Sequence, residues 1–417
     1  MPVRYTPTPV ENVHSVRGIR LGVAAAKIKN WARNDVLLIE CAPTTVAAAV
    51  FTQNRFCAAP VLVSREHLSA QQKAKLPLRA VIINAGNANA GTGNPGIADA
   101  KTTCEHIAGL IGCTAQEVLV CSTGVIMEPL PMARLLEGLP LAHHALSDDR
   151  AAWVNAAQAI MTTDTVYKLT SRKVVLGEET VTITGIAKGA GMIHPNMGTM
   201  LSFIACDAFV DHELWQSLIS EVAEESFNRV TVDGDTSTND TLIAMATGAA
   251  SSSPLSSRND PRFNGLKEAL LSVAQHLAQA IARDGEGATK FITINVLGDD
   301  PSICKHVAFS IAHSPLVKTA FFASDPNLGR IICAIGNALP STANPNHVSL
   351  SLNGVLIVEK GGRADAYREE DGQRVMKEEE ITVQVHLSDK AKPAFHTTVW
   401  TCDFSHDYVT INADYRT

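Results

Sequence analysis

The chain has 417 residues, more than a single hydrophobic core usually holds, so we expect two or more folding units. A net charge of −7 argues against nucleic acid or an anionic membrane as a partner, since both select a basic face. Nine cysteines with no Cys-x-x-Cys pair indicate reduced thiols, not a disulfide framework or a zinc site. The start lacks the apolar segment of a secretory signal, and no apolar run reaches the ~18 residues of a membrane helix. We therefore expect a cytoplasmic globular protein.

The first part of the chain alternates short apolar runs with turns rich in glycine and proline. The strand-like runs are residues 36–40, 45–51, 60–64 and 80–83. A loop rich in glycine and asparagine, residues 84–93, follows the last of these runs and precedes a helix-like segment that starts near Ile97. The loop has neither the Gly-x-Gly-x-x-Gly spacing nor the lysine of a phosphate-binding loop, so a plain turn is the favoured interpretation.

A further strand-like run, residues 118–121, is followed by Ser122, Thr123 and Gly124. A hydroxyl and a glycine N–H at a strand end can form an oxyanion site, because both donors point into one small space. Taken alone, these residues favour the alternative, a simple exit from strand to turn. The helical period of residues 151–161 then predicts a helix that ends at 162–164, and residues 174–186 predict a β-hairpin.

The next segment, from Lys188 to Met200, precedes an apolar run that predicts a buried strand at 201–205. Its glycines allow close backbone approach. The Thr199 hydroxyl could attack the carbonyl of Gly198, and hydrolysis of the resulting ester would free an α-amine on Thr199. That amine can act as base for its own hydroxyl. The alternative, favoured by this stretch alone, is an ordinary glycine-rich loop that enters a core strand.

The second half of the chain begins with an amphipathic helix for which Asp211 is the expected N-cap. Residues 232–241 are dense in oxygen ligands, which suit a hard cation, but they lack the spacing of an EF-hand loop, so a network of capping side chains is favoured. A long helix is predicted at 266–283. Alternating strands are predicted at 292–296, 348–352 and 381–387, and we expect a domain boundary near residue 287.

Six blocks of sequence, in order through nearly the whole chain, carry a resemblance that no single motif carries. They are residues 84–90, 121–125, 188–197, 232–240, 314–330 and 411–417. With these blocks the sequence resembles the ArgJ family of glutamate N-acetyltransferases, also called ornithine acetyltransferases. The resemblance reverses the preference stated above for the segment from Lys188 to Met200.

The resemblance implies a precursor that cleaves itself between Gly198 and Thr199. The products are an N-terminal chain of residues 1–198 and a C-terminal chain of residues 199–417, expected to stay together as a heterotetramer with two copies of each. The implied fold is mixed α/β, with a layered αββα-like core of the ArgJ/DmpA type built from both chains. This core spans about residues 1–287, and a smaller α/β domain spans about 288–417.

The resemblance also implies ping-pong acetyl transfer, in which Thr199 takes acetyl from N2-acetyl-L-ornithine and passes it to L-glutamate. Thr123 and Gly124 match the oxyanion residues of the family. Its substrate-contacting positions are matched by Thr162, Lys188, Thr199, Glu286, Asn412 and Thr417. A cation such as Lys188 suits the α-carboxylate of either substrate, and a carboxylate such as Glu286 suits the side-chain ammonium of ornithine. No metal or organic cofactor is expected, and the use of acetyl-CoA as a second acetyl donor is left open.

Two residues depart from the family pattern. Gly198 stands where the family more often has alanine, and Met127 stands close to the oxyanion turn where the family has glycine. Two other functions compete with acetyl transfer. One is a self-processing aminopeptidase or amidohydrolase of the related fold, in which water takes the acyl group, and the other is a non-catalytic ligand-binding protein that has kept the fold and lost self-cleavage.

Overall fold

The computed structural model describes residues 1–194, 200–390 and 393–413. They form two compact units. The larger unit consists of Pro7–Asn228 and Asp235–Ile281, and the smaller unit consists of Met1–Thr6, Arg229–Gly234 and the chain from Ala282 onward. Within the described part of the chain, no helix is both long and apolar enough to cross a lipid bilayer.

The larger unit contains two β-sheets and the helices that cover them. Its strands are β1 (Ile19–Ala24), β2 (Val36–Cys41), β3 (Val46–Phe51), β4 (Ala80–Asn87), β5 (Val118–Val125), β6 (Lys168–Leu176), β7 (Glu179–Lys188), β8 (Leu201–Cys206) and β9 (Thr241–Ala246). Its helices are α1 (Ala59–Ala74), α2 (Gly93–Ile111), α3 (Met132–His144), α4 (Arg150–Ala159), α5 (His212–Glu224) and α6 (Arg262–Arg283).

Strand order brings together segments that are far apart in the sequence. One sheet has the order β1-β2-β4-β5 and the other β3-β9-β8-β7-β6. β4 and β5 run parallel, so their carboxyl ends meet at the same edge of the sheet. β8 lies between β7, with which it is antiparallel, and β9, with which it is parallel. All six residues of β8 are buried, as its apolar sequence predicts.

The side chains of β2 and β4 alternate between two hydrophobic cores, which explains why their runs 36–39 and 80–83 are wholly apolar. Leu37 belongs to the core that also contains Phe203, so that core lies between the two sheets. Leu38 belongs to the core formed with α2 and α3 on the outer face of the first sheet. On the second sheet, Leu277 of α6 packs against Gly185 of β7. The larger unit therefore has four layers, αββα, and the mixed α/β prediction is confirmed.

The smaller unit has a single mixed sheet among its described residues. Its strands are β10 (Phe291–Gly298), β11 (Ser349–Leu352), β12 (Val355–Glu359), β13 (Gly362–Arg363), β14 (Glu380–His386) and β15 (Phe395–Cys402), in the sheet order β13-β12-β11-β14-β10-β15. Its helices are α7 (Pro301–His313), α8 (Pro315–Phe322), α9 (Leu328–Ala338), α10 (Glu369–Met376) and α11 (His406–Ala413). Alternate residues of β10 and β14 enter the core, as the predicted period of two requires.

Two local predictions differ from the structure. The run 60–64 lies in α1 and is not a strand, because Pro60 occupies the first turn of a helix, where the missing N–H costs nothing. The strand predicted to end at Cys121 continues through Thr123 to Val125, paired with β4. This second difference matters for the site, since it puts Thr123 and Gly124 inside a strand, next to a partner strand.

Candidate active site

The parallel strands β4 and β5 end with glycine opposite glycine. Gly86 pairs with Gly124, and their φ angles are +101° and +136°, a region that side chains disfavour. A β-carbon on Gly124 would lie 2.2 Å from the carbonyl carbon of Gly86 and 2.5 Å from the nitrogen of Asn87. Only glycine fits here without a backbone shift, and the resulting close approach fixes the position of Thr123 beside it.

Buried amide side chains hold the carboxyl ends of β4 and β5 in place. Ser122 Oγ donates a hydrogen bond to Asn84 Oδ1 (2.6 Å), and Asn84 Nδ2 donates to the carbonyl of Asn87 (2.9 Å). Asn239 Nδ2 donates to the carbonyls of Ser122 (2.9 Å) and Ala88 (2.6 Å). Asn84 and Asn239 therefore satisfy buried backbone groups at the strand ends, which limits the movement of Thr123 and Gly124.

Lys188, the last residue of β7, reaches Thr123. Its Nζ donates a hydrogen bond to Thr123 Oγ1 at 2.9 Å, and both residues are buried, with exposures of 3% and 5%. Because the hydroxyl oxygen accepts this bond, the hydroxyl hydrogen can be donated to another acceptor. The structure thus brings together three predicted site residues: Thr123, Gly124 and Lys188.

Lys188 also faces the start of the strand that follows the predicted cleavage point. It pairs with Leu201, the first residue of β8. The N–H of Thr241, at the start of β9, donates to the carbonyl of Met200 at 3.0 Å. Met200 directly follows Thr199 in the sequence. Gly198 and Thr199 themselves, like Thr417, lie outside the described residues.

A buried carboxylate, Asp164, connects Lys188 with the predicted substrate residue Thr162. Asp164 Oδ1 accepts hydrogen bonds from Lys168 Nζ (2.5 Å) and from the N–H of Gly189 (2.7 Å), while Oδ2 accepts one from the N–H of Thr162 (3.0 Å). Burial raises the pKa of Asp164, but the charges of Lys168 and Lys188, together with the hydrogen bonds from Lys168 and Gly189, lower it by more, so that its pKa lies well below the usual range. Asp164 is therefore ionised at neutral pH.

In the smaller unit, two predicted residues contact each other. Asn412 Nδ2 donates hydrogen bonds to Glu286 Oε2 (2.8 Å) and to the carbonyl of Tyr408 (2.9 Å). The hydroxyl of Tyr408 donates to Asp233 Oδ2 at 3.2 Å. Glu286 is only 7% exposed whereas Asn412 is exposed, so this contact joins a buried carboxylate to an exposed amide.

Sequence reasoning missed Asp164, Lys168, Tyr408 and Asp233 as members of these clusters. Asp233 lies in the oxygen-rich segment 232–241, for which the sequence favours capping side chains over a cation site. In that segment the N–H of Asn239 donates to Ser237 Oγ at 3.2 Å, and the hydroxyl of Thr241 donates to the carbonyl of Asn239 at 3.0 Å, as the capping interpretation predicts. Among the described residues, no group of three or more His, Cys, Asp or Glu side chains could hold a metal ion.

Met127 adopts a backbone conformation that explains the glycine of the family pattern. Its φ is +67°, in the left-handed region, and its N–H donates to the carbonyl of Ala90 at 2.8 Å. Its side chain is 77% exposed. Met127 therefore points into solvent and does not fill the space next to Gly124.

The four layers and the buried polar groups at their strand ends define a layered α+β protein with an enzyme-like site. The ArgJ family matches residues 20–417. The chain is 48% identical to the arginine biosynthesis bifunctional protein ArgJ of Colwellia psychrerythraea, over 431 aligned positions that cover 100% of both chains. The protein therefore belongs to the ArgJ family, which confirms the resemblance drawn from its sequence.

Two solved structures are also similar to this chain. The arginine biosynthesis bifunctional protein ArgJ of Bacillus halodurans is 37% identical, covers 52% of this chain and 99% of its own, and has a TM-score of 0.48. The ornithine acetyltransferase of Mycobacterium tuberculosis, solved with ornithine, is 36% identical, covers 46% of this chain and 97% of its own, and has a TM-score of 0.40.

Proposed function

We propose that this protein transfers the acetyl group of N2-acetyl-L-ornithine to L-glutamate in arginine biosynthesis. Membership of the ArgJ family supports the pathway and the class of reaction. The observation that carries the chemistry is the hydrogen bond from Lys188 Nζ to Thr123 Oγ1 beside Gly124. Thr123 then offers a hydroxyl donor and Gly124 a backbone N–H near the end of β5. The buried ammonium group of Lys188 lies next to them.

The first step is self-cleavage. The Thr199 hydroxyl attacks the carbonyl carbon of Gly198, the C–N bond breaks as the hydroxyl proton passes to the nitrogen, and an ester forms beside the new α-amine of Thr199. Water then hydrolyses the ester, leaving a carboxylate on Gly198 and an α-amine on Thr199. The sheet order supports lasting association of the two products, because β8 and β9 of residues 199–417 lie between β3 and β7 of residues 1–198. We also propose that two copies of each chain form a heterotetramer in the cytoplasm.

Acetyl transfer follows in two half-reactions. The amine of Thr199, with an ordinary pKa of about 8, takes the proton of its own hydroxyl while that oxygen attacks the acetyl carbonyl. The tetrahedral intermediate breaks its C–N bond, the α-amine of ornithine leaves with the proton, and an acetyl-Thr199 ester remains. The α-amine of glutamate then attacks this ester and regenerates Thr199. Thr123 and Gly124 donate to the oxyanion in both halves, at ~3–4 kcal/mol per donor.

The substrate contacts follow from charge. Lys188 suits the α-carboxylate that both substrates carry, and Thr162 and Thr417 match further contacting positions of the family. Glu286, held by Asn412, suits the side-chain ammonium that only ornithine has. Glutamate has no such group, so this contact distinguishes the donor from the acceptor.

The deciding experiment measures ornithine release from N2-acetyl-L-ornithine with and without glutamate. Transfer predicts release that depends on glutamate, whereas hydrolysis predicts release in water alone. Intact mass should show two chains, of 198 and 219 residues (417 − 198 = 219), and an acetyl adduct on the longer one after N2-acetyl-L-ornithine is added. A single uncleaved chain in active material would refute the mechanism.

A second acetyl donor is favoured by one finding. The Colwellia relative is named a bifunctional protein, and it aligns over the full length of this chain. We therefore propose that acetyl-CoA also acetylates glutamate here. The assay mixes acetyl-CoA with glutamate and follows N-acetylglutamate, and the Thr199→Ala variant serves as control. Absence of product in an enzyme that uses N2-acetyl-L-ornithine would make the protein monofunctional.

A further inference from the structure

The ion pair of Asp164 and Lys168 is fully buried, since both side chains have no exposed area. Burying two charges costs desolvation energy that their attraction often fails to recover, and such a pair is commonly replaceable by apolar side chains without loss of stability. Stability alone is therefore a weak reason for these two residues. Their position next to the candidate active site suggests another.

The two carboxylate oxygens of Asp164 connect two segments of that site. Oδ2 accepts the N–H of Thr162, and Oδ1 accepts the N–H of Gly189, the residue after Lys188. The φ of Gly189 is +143°, so the chain turns at that residue in a conformation that glycine permits. Asp164 thus anchors the end of β7, from which Lys188 reaches Thr123.

The charge of Asp164 is stabilised by two neighbouring lysines. Lys188 lies close enough to Asp164 to lower its pKa, as Lys168 does. Lys168 is the residue in direct contact with the carboxylate, at 2.5 Å. Asp164 is therefore held in its charged form by the lysines next to it.

We propose that Asp164 and Lys168 form a positioning pair for acetyl transfer, which fixes Thr162 and holds Lys188 against Thr123. The role rests on the proposed function. Neither residue touches the substrate. The pair acts through the residues that do.

The test uses two variants and one matched control. Asp164→Asn removes the charge and leaves Lys168 buried without its counter-charge, which is destabilising. Asp164→Asn combined with Lys168→Met removes both charges and should recover the Tm. Asp207→Asn is the control, because Asp207 is also a buried carboxylate that accepts a backbone N–H, from Thr182, and pairs with a cation, Arg17. Asp207 directly follows Cys206, the last residue of β8. Cys206 lies about 17 Å along the strand from Leu201.

We expect both Asp164 variants to lose about tenfold to a hundredfold in kcat per cleaved chain, because the oxyanion donors shift from their productive position. The KM for N2-acetyl-L-ornithine should rise as well, through Thr162. The Asp207→Asn control should keep its kcat and KM. A purely structural role predicts that the double variant recovers its activity together with its Tm, and that result would overturn the proposal.

Two further outcomes are decisive. A double variant that folds and stays uncleaved would assign Asp164 to self-cleavage and would refute its role in transfer. A wild-type protein that releases no ornithine in the presence of glutamate would refute the proposed function, whereas an active wild type with an equally active double variant would refute only the positioning role.

Discussion

Lys188 Nζ lies 2.9 Å from Thr123 Oγ1 although the two residues belong to different sheets. This contact spans the inner core of the larger unit, between the carboxyl ends of β5 and β7. The predicted roles need these two residues close together: Thr123 is assigned to the oxyanion site and Lys188 to the substrate carboxylate. A lysine that donates to the hydroxyl oxygen makes that hydroxyl a stronger donor, because charge-assisted hydrogen bonds polarise their partners.

Replacing Thr123 by alanine should therefore slow catalysis without unfolding the protein. Loss of one oxyanion donor costs about a hundredfold to a thousandfold in kcat. Thr123→Ser keeps the hydroxyl and is the matched control, expected within about tenfold of the wild type, since only a methyl group is lost. Turnover close to normal in a folded Thr123→Ala protein would exclude Thr123 from the oxyanion site.

Gly124 should tolerate no side chain. A β-carbon would lie 2.2 Å from the Gly86 carbonyl carbon, so Gly124→Ala must separate β4 from β5 at their ends. We expect a loss of roughly 3 kcal/mol or more in the free energy of unfolding, together with loss of activity. Gly109→Ala is the control: Gly109 lies in α2 with open space around it, and the change should stabilise the protein by ~0.5–1 kcal/mol. Denaturant unfolding of both variants tests the pair, and a stable, active Gly124→Ala protein would contradict the geometry.

Much of the fold could be predicted because local patterns determine it. The runs 36–39 of β2 and 80–83 of β4 are wholly apolar, since alternate side chains enter two different cores. The hairpin of β6 and β7 is marked by a Gly177 turn between alternating residues. The run 60–64 was misread because five apolar residues fit a buried strand and a buried helix equally well. Pro60 was the available signal for a helix start.

The side-chain clusters could be predicted only in part, because they depend on tertiary contacts. Lys188 and Glu286 were assigned through family resemblance, since neither spacing nor period points to them, and Thr123 was first considered for its hydroxyl at a strand end. The Tyr408–Asp233 hydrogen bond joins residues 175 positions apart, and no local pattern encodes such a contact. Asp164 and Lys168 are separated by a short loop, and their burial becomes visible only when β6 and the end of α4 are placed.

Met127→Gly should stabilise the protein. A non-glycine residue in the left-handed region costs ~1–2 kcal/mol, and glycine removes that cost while losing ~0.5–1 kcal/mol in chain entropy. The net gain in the free energy of unfolding should be up to about 1 kcal/mol, with unchanged kcat, because Met127 points into solvent. Lys75→Gly is the matched control, since Lys75 has a φ of +52° at the end of α1, and the same gain is expected there. A drop in kcat for Met127→Gly alone would show that this turn affects the oxyanion site.

Asp164 should make the protein sensitive to acid. Burial raises the pKa of Asp164, but Lys168, Lys188 and the N–H of Gly189 together lower it by more, so its folded pKa lies below the ordinary value of 3.8. A lowered folded pKa contributes stability that is present above the unfolded value and is lost as the pH falls through the folded value. Unfolding by denaturant should therefore show a steeper loss of stability below about pH 4 for the wild type than for the variant with Asp164→Asn and Lys168→Met. Equal slopes would mean that Asp164 titrates normally.

Glu286→Gln should separate the two substrates. The change keeps an oxygen that can accept the hydrogen bond of Asn412 and removes the negative charge. If Glu286 holds the side-chain ammonium of ornithine, the KM for N2-acetyl-L-ornithine should rise by about tenfold to a hundredfold, because a hydrogen bond to a charged group is worth ~1.5–3 kcal/mol. The KM for glutamate should change little, since glutamate lacks that ammonium. Glu370→Gln, at an exposed position of α10, is the control. An equal rise in both KM values would show that Glu286 supports the site as a whole and does not select the donor.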